Sequence, residues 1–109
     1  EYIRKMGIKV VLSGDGADDI FSGYLYFHNA PSDEEFQKET IDRVQHLHTS
    51  ECLRAEKTCM AHSIEVRMHF LDKAFLDVVM SIAPEHKRPE EHDGRFVEKF
   101  LLRKAFDVE

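Results

Sequence analysis

Val10-Val11-Leu12-Ser13-Gly14-Asp15-Gly16-Ala17-Asp18-Asp19 is the stretch on which the reading of this chain turns. An apolar run gives way to two glycines, and three carboxylates then fall within five residues where a helix should begin. Helix N-termini attract negative charge through unpaired N–H groups and the helix dipole, yet one or two acids satisfy that preference. A third implies a cation. Ligands of open α/β sheets bind beyond the carboxyl ends of strands, which is where Ser13 to Asp19 would lie.

On these residues alone two readings stay open. In one, magnesium bridges acidic side chains to nucleotide phosphates, with Asp18 as the metal ligand and Asp15 facing the reacting groups. In the other, Asp15 is a turn residue, Asp18 and Asp19 are first-turn acids, and the glycines merely permit the turn. A dinucleotide-binding fingerprint is disfavoured because position 19 holds Asp where that motif wants Gly. An EF-hand fails because Ala17 occupies a ligand position.

Working outward, Ile3 to Met6 reads as a helix end capped by Gly7, and Ile8 to Leu12 as a strand. Apolar residues at consecutive positions suit a parallel strand covered on both faces. Ala17 to Phe21 starts a short helix that stops near Gly23, and Ala30-Pro31 imposes extended or turning backbone. Ser32 and Glu35 have capping-box spacing, and Phe36, Thr40/Ile41, Val44 and Leu47/His48 then share one side of a helix. Glu51 to Met60 continues helically, as a helical pair or one bent helix. Ser63 to Leu71 alternates and predicts an extended segment. Asp72 caps a helix carrying Phe75, Leu76, Val79 and Met80, which Pro84 stops. Glu85 to Arg95 reads as a solvated connector and Phe96 to Phe106 as a last helix. The expected class is α/β, mostly helical, with one parallel-type strand at about 8–13 whose sheet neighbours lie outside this chain.

The chain has 109 residues, enough for one core and one domain, 1–109. A net charge of −6 argues against a nucleic-acid groove. No apolar run is long enough to span a bilayer, so no membrane partner is expected. The first residues lack the apolar core of a secretory signal, and a start without Met suits an interior segment of a cytoplasmic protein. Cys52 and Cys59 would share a helix face but lie too far apart to bridge, which fits free thiols. His46, His48 and His62 lie near them without the close pairs that zinc requires. Arg54/Lys57 and Lys99/Arg103/Lys104 read as solvated helix-surface groups.

Ser13-Gly14-Asp15-Gly16-Ala17-Asp18-Asp19, followed by Phe21 to Pro31, closely resembles the synthetase domain of glutamine-hydrolysing asparagine synthetases. Cys52-Leu53-Arg54-Ala55, Lys57, Met60-Ala61-His62, Glu65 to Lys73 and Glu98 to Arg103 keep that family's order and spacing. The resemblance implies part of an adenine-nucleotide α-hydrolase-like (ATP pyrophosphatase) domain. It implies a ligase that uses ATP and Mg2+ to convert aspartate into β-aspartyl-AMP, which ammonia from glutamine then converts into asparagine. By position it makes Ser13 and Gly14 nucleotide-contacting residues, Asp15 the acid that forms and uses the acyl-adenylate, and Asp18 the magnesium ligand.

The family pattern usually has Glu at Asp15 and Asp19 and Ser at Ala17. It also has Ala, Val and Pro where this chain has Val66, Met68 and His69, and Asn at Glu56. Glu65, Arg67 and Asp72 match it and read as a structural charge network. A Ser-Gly-Gly-x-Asp-Ser pyrophosphate loop and a glutaminase domain are expected upstream, and a lysine-bearing loop beyond Glu109. Lys99 belongs to the Glu-Lys-x-x-Leu-Arg helix before that loop and is not its lysine. Expected partners are aspartate, ATP, the glutaminase domain and the remaining synthetase segments, with a homodimer of the full enzyme among the allowed assemblies. Alone, the chain is not expected to turn over. The alternatives are a non-catalytic remnant or interaction module of the same fold, and a related amide-forming ligase such as a β-lactam synthetase.

Overall fold

The computed structural model describes residues 1–107, running α1 (Tyr2–Lys5), β1 (Val10–Ser13), α2 (Ala17–Ile20), α3 (Asp33–His46), α4 (Glu51–Met60), β2 (Glu65–Met68), α5 (Lys73–Ser81), β3 (Glu90–His92), β4 (Arg95–Val97) and α6 (Phe100–Phe106). β1 and β2 pair in parallel, Val10 opposite Glu65 and Ser13 opposite Met68. Parallel strands need a long crossover, and α2, α3 and α4 supply it. The expected α/β class is therefore met. The expectation of a single strand is not, because the alternating segment after Ser63 forms β2 before a 3-10 turn at His69–Leu71.

Two further expectations are corrected. β1 is not covered on both faces: Leu12 is 72% exposed and Val10 also faces outward, while Val11 and Ser13 are half-covered. Within the described residues β1 has β2 on one edge and nothing on the other, so its apolar run exceeds what this chain covers. Second, the segment read as a solvated connector holds an antiparallel hairpin, with Glu90 opposite Val97 and His92 opposite Arg95. Asp93 and Gly94 turn it with φ of 51° and 75°. Asp-Gly with both residues at positive φ is the two-residue turn whose twist matches that of the strands. Phe96 and Val97 consequently lie in β4, and α6 starts only at Phe100.

The helix boundaries follow their caps. Ser32 Oγ accepts from the Glu35 N–H at 3.2 Å, and Asp72 Oδ1 accepts from the Phe75 N–H at 3.1 Å. Asp72 thus serves as a helix cap, whereas Arg67 and Glu65 pair with each other at 2.6 Å on the surface. α3 and α4 are separated by a 3-10 turn at Leu47–Thr49, so of the two expected arrangements the chain forms the helical pair. Phe36, Thr40 and Leu47 are buried, while Ile41 and His48 face solvent. Ile20, Phe21 and Val79 form the centre of the core, covered by Val44, Phe70, Phe75, Leu76, Leu101 and Leu102. The short helix after the acidic turn is therefore clasped by α3, α5 and α6. Among the described residues no helix is long and apolar enough to cross a membrane.

Lys87 is the unusual member of this interior, at 1% exposure. Its ammonium donates to Gln37 Oε1 and to the Val79 carbonyl, each at 3.2 Å, and its own carbonyl accepts from Ser22 Oγ at 2.5 Å. It forms no ion pair with a carboxylate among the described residues. Burial disfavours the charged form and lowers the pKa from the ordinary value of 10.5. The unfolded chain then binds more protons than the folded one, so Lys87 makes stability rise with pH between its depressed value and 10.5. In urea unfolding at a series of pH values from about 7 to about 10, wild-type stability minus that of Lys87→Met is expected to increase with pH. A constant difference would contradict an unpaired buried ammonium.

Candidate functional site

The turn between β1 and α2 has a fixed shape for local reasons. Gly16 has φ of 94°, and a Cβ there would fall inside the Leu71 side chain. Both its handedness and its close contact thus require glycine. Gly14 has open space where a Cβ would point, so a ligand can approach the backbone on that side. The Ala17 N–H closes the turn onto the Gly14 carbonyl at 3.2 Å, and the Ile20 N–H continues it onto that of Gly16.

The three acids of the turn diverge, and each meets its own cation from a distant element. Asp15 Oδ2 accepts from Ser13 Oγ, and Asp15 Oδ1 accepts from Arg54 of α4 at 3.3 Å. Asp18 Oδ1 accepts from Lys99 Nζ, at the start of α6, at 2.6 Å. Asp19, 1% exposed, accepts from Arg43 of α3 through Nε at 3.2 Å and Nη2 at 3.0 Å. Arg43 also reaches Glu51 at 3.4 Å and stacks over the Tyr24 ring at 4.8 Å. Burial pushes the Asp19 carboxyl above its ordinary range, and the hydrogen bond from Arg43 pulls it part of the way back. Asp19 Oδ2 is buried without a hydrogen-bond partner.

These contacts correct the reading of Lys99 as a solvated surface group, whereas Arg54 lies on the exposed surface of α4 as expected and reaches Asp15 from there. Arg43 carried no signal of its own, since a helix surface normally presents arginine to water. What could have found all three is charge balance: acids crowded into one turn need counter-charges, and only the fold identifies which basic residues arrive.

Asp18 is placed by sterics as well as charge. A Cβ on Gly23 would overlap its carboxyl group, and the Gly23 N–H donates to the Asp18 carbonyl at 2.8 Å. The carboxylate is 38% exposed, and its Oδ2 makes no hydrogen bond to described protein groups. Among the described residues no cluster of three His, Cys, Asp or Glu could hold a metal. Asp18 accordingly offers one carboxylate oxygen, while Asp15 and Asp19 are engaged elsewhere. Cys52 and Cys59 are free and half-buried, and burial followed by the nearby Asp15 charge raises the Cys52 thiol pKa.

The asparagine synthase family model matches residues 1–38 and 28–108 of the chain. The chain is 52% identical over 107 residues to asparagine synthetase [glutamine-hydrolyzing] 2 of Lotus japonicus, covering 98% of this chain and 18% of that relative. It is 53% identical over 107 residues to asparagine synthetase [glutamine-hydrolyzing] of Asparagus officinalis, with the same two coverages. It is 52% identical over 107 residues to the probable asparagine synthetase [glutamine-hydrolyzing] of Dictyostelium discoideum, covering 97% of this chain and 19% of the relative. The chain thus spans about 18% of the length of the relatives it matches.

Buried and exposed pairs at this turn should behave differently. Arg43→Met leaves the buried Asp19 carboxyl without its donor, and is expected to destabilise the fold by about 3 kcal/mol. Arg54→Met breaks a pair whose arginine is largely exposed and should cost less than about 1 kcal/mol. Denaturant unfolding of the two variants checks the order, and equal losses would contradict it.

Proposed function

The chain belongs to the asparagine synthase family, and on that footing we propose that it forms one wall of the aspartate-adenylating site of a glutamine-hydrolysing asparagine synthetase. In this reading ATP and aspartate give β-aspartyl-AMP and pyrophosphate, and ammonia derived from glutamine displaces AMP to yield asparagine. The observation that carries it is the Ser13–Asp19 turn at the carboxyl end of β1, open beside Gly14 and closed by Gly16 against Leu71. That is the position at which open α/β sheets bind ligands.

Ser13 and Gly14 contact the nucleotide in this reading. The Asp15 carboxylate, steered by Ser13 and Arg54, orients the attacking ammonia and accepts the proton that its nitrogen loses as the amide forms and AMP leaves. The donor set fits a magnesium ion through Asp18 alone, since that ion is held by one or two acids completed by phosphates and water. Bound at Asp18, it would neutralise charge developing on the departing pyrophosphate. The pyrophosphate loop, the adenylate-facing lysine and the glutaminase domain come from other parts of the protein. One observation favours a second reading, a non-catalytic module of the same fold: every acid of the turn already has a protein cation.

Exchange of labelled pyrophosphate into ATP by the full-length gene product separates the two. The synthetase reading expects exchange that requires aspartate and magnesium, reduced at least about tenfold in Asp18→Asn through loss of metal charge stabilisation. Asp15→Asn is expected to slow asparagine formation on the order of a hundredfold through loss of general-base and orienting action. Absence of exchange in the wild-type protein would leave the non-catalytic module.

A further inference from the structure

Glu98 and Lys99 join β4 to α6; the Lys99 side chain reaches back to the acidic turn and that of Glu98 to the 3-10 turn at Leu25–Asn29. Lys99 Nζ donates to Asp18 Oδ1 at 2.6 Å across 81 residues of sequence. The Glu98 carboxylate lies 3.1 Å from His28 Nε2, and Phe96 packs edge-on against the same imidazole. Arg103 Nε donates to the Glu98 carbonyl at 2.9 Å and braces the junction from α6. Lys99 itself has φ of 54°, a left-handed conformation that a residue with a side chain keeps only where its surroundings hold it. The Asp18 carboxyl occupies the space that a side chain at Gly23 would take.

We propose that Lys99 is the resident counter-ion of Asp18, displaced when a magnesium–nucleotide binds, so that occupation of the turn releases the β4–α6 junction. The proposal rests on the adenylation reading above and adds to it a coupling between the turn and a segment remote in sequence. An ammonium on one carboxylate oxygen and a divalent cation on the other would stand on the order of 4–5 Å apart, where their repulsion is appreciable even in water-like surroundings. Lysine has a long flexible stem and a compact charge, so it can leave Asp18 for solvent or for a phosphate. Once it leaves, the tie from the turn to residue 99 is lost, and the junction keeps only the Glu98–His28 contact and the Arg103 bonds to the Glu98 and Lys99 carbonyls. Lys99 is in this sense a positioning residue, acting on the site through Asp18.

Calorimetric titration of magnesium into the full-length gene product saturated with α,β-methylene-ATP tests the proposal. Lys99→Met is expected to tighten magnesium binding about five- to tenfold by removing the competing charge, and Lys99→Arg to keep the wild-type affinity. Asp18→Asn is expected to weaken it at least about tenfold by removing the ligand. Hydrogen exchange on the wild-type protein supplies a measurement that needs no variant: amides of Arg95–Arg103 should exchange faster when magnesium and the analogue are added together. Unchanged or weaker magnesium binding by Lys99→Met, or unchanged or slower exchange in that segment, overturns the proposal. If Asp18→Asn binds magnesium as the wild type does, the metal role in the adenylation reading falls first and the proposal with it.

Discussion

Three carboxylates within five residues can share a turn only if their charge is neutralised, and the fold meets that demand with three cations brought from three elements. Arg43 comes from α3, Arg54 from α4 and Lys99 from the start of α6. The environments grade from buried to open. Asp19 lies in the interior, where desolvation makes a paired charge obligatory. Asp15 and Asp18 stand nearer the surface, where pairing orients more than it stabilises. The same turn therefore holds both a structural anchor and two acids nearer the surface, of which Asp18 is the more exposed.

This arrangement makes α2 more important than its single turn suggests. Helices this short have little stability of their own, because nucleation is costly and few hydrogen bonds repay it. Here Ile20 and Phe21 insert between α3, α5 and α6, and Asp19 adds the ionic tie to Arg43. The glycines on either side serve the same end, since Gly16 admits Leu71 and Gly23 admits the Asp18 carboxyl. A site built on a turn held this way is preorganised by packing.

Local signals in the sequence were reliable where the physics is local. The Ser32 and Asp72 caps, the left-handed Gly7 just beyond the end of α1 and the break between α3 and α4 all stand where propensity and periodicity place them. The hairpin at Asp93-Gly94 was also a local signal, but charged residues on both sides hid it, because short exposed strands lack the apolar alternation that marks buried ones. β1 failed in the opposite way. Its apolar run is that of a strand covered on both faces, and the described chain covers it only in part.

The sequence by itself determined the class, the strand–turn–helix with its acids, and the family, since these depend on residues adjacent along the chain or on a motif of fixed spacing. Tertiary structure alone decided which cation meets which acid. Arg43, Arg54 and Lys99 resemble other surface basic residues until the backbone delivers them, because an ion pair depends on distance in space and carries no periodicity along the chain. The same holds for Lys87, an ordinary lysine in sequence that the fold closes over and surrounds with an amide and carbonyl oxygens. Burial is a property of the whole packing, and no single residue announces it.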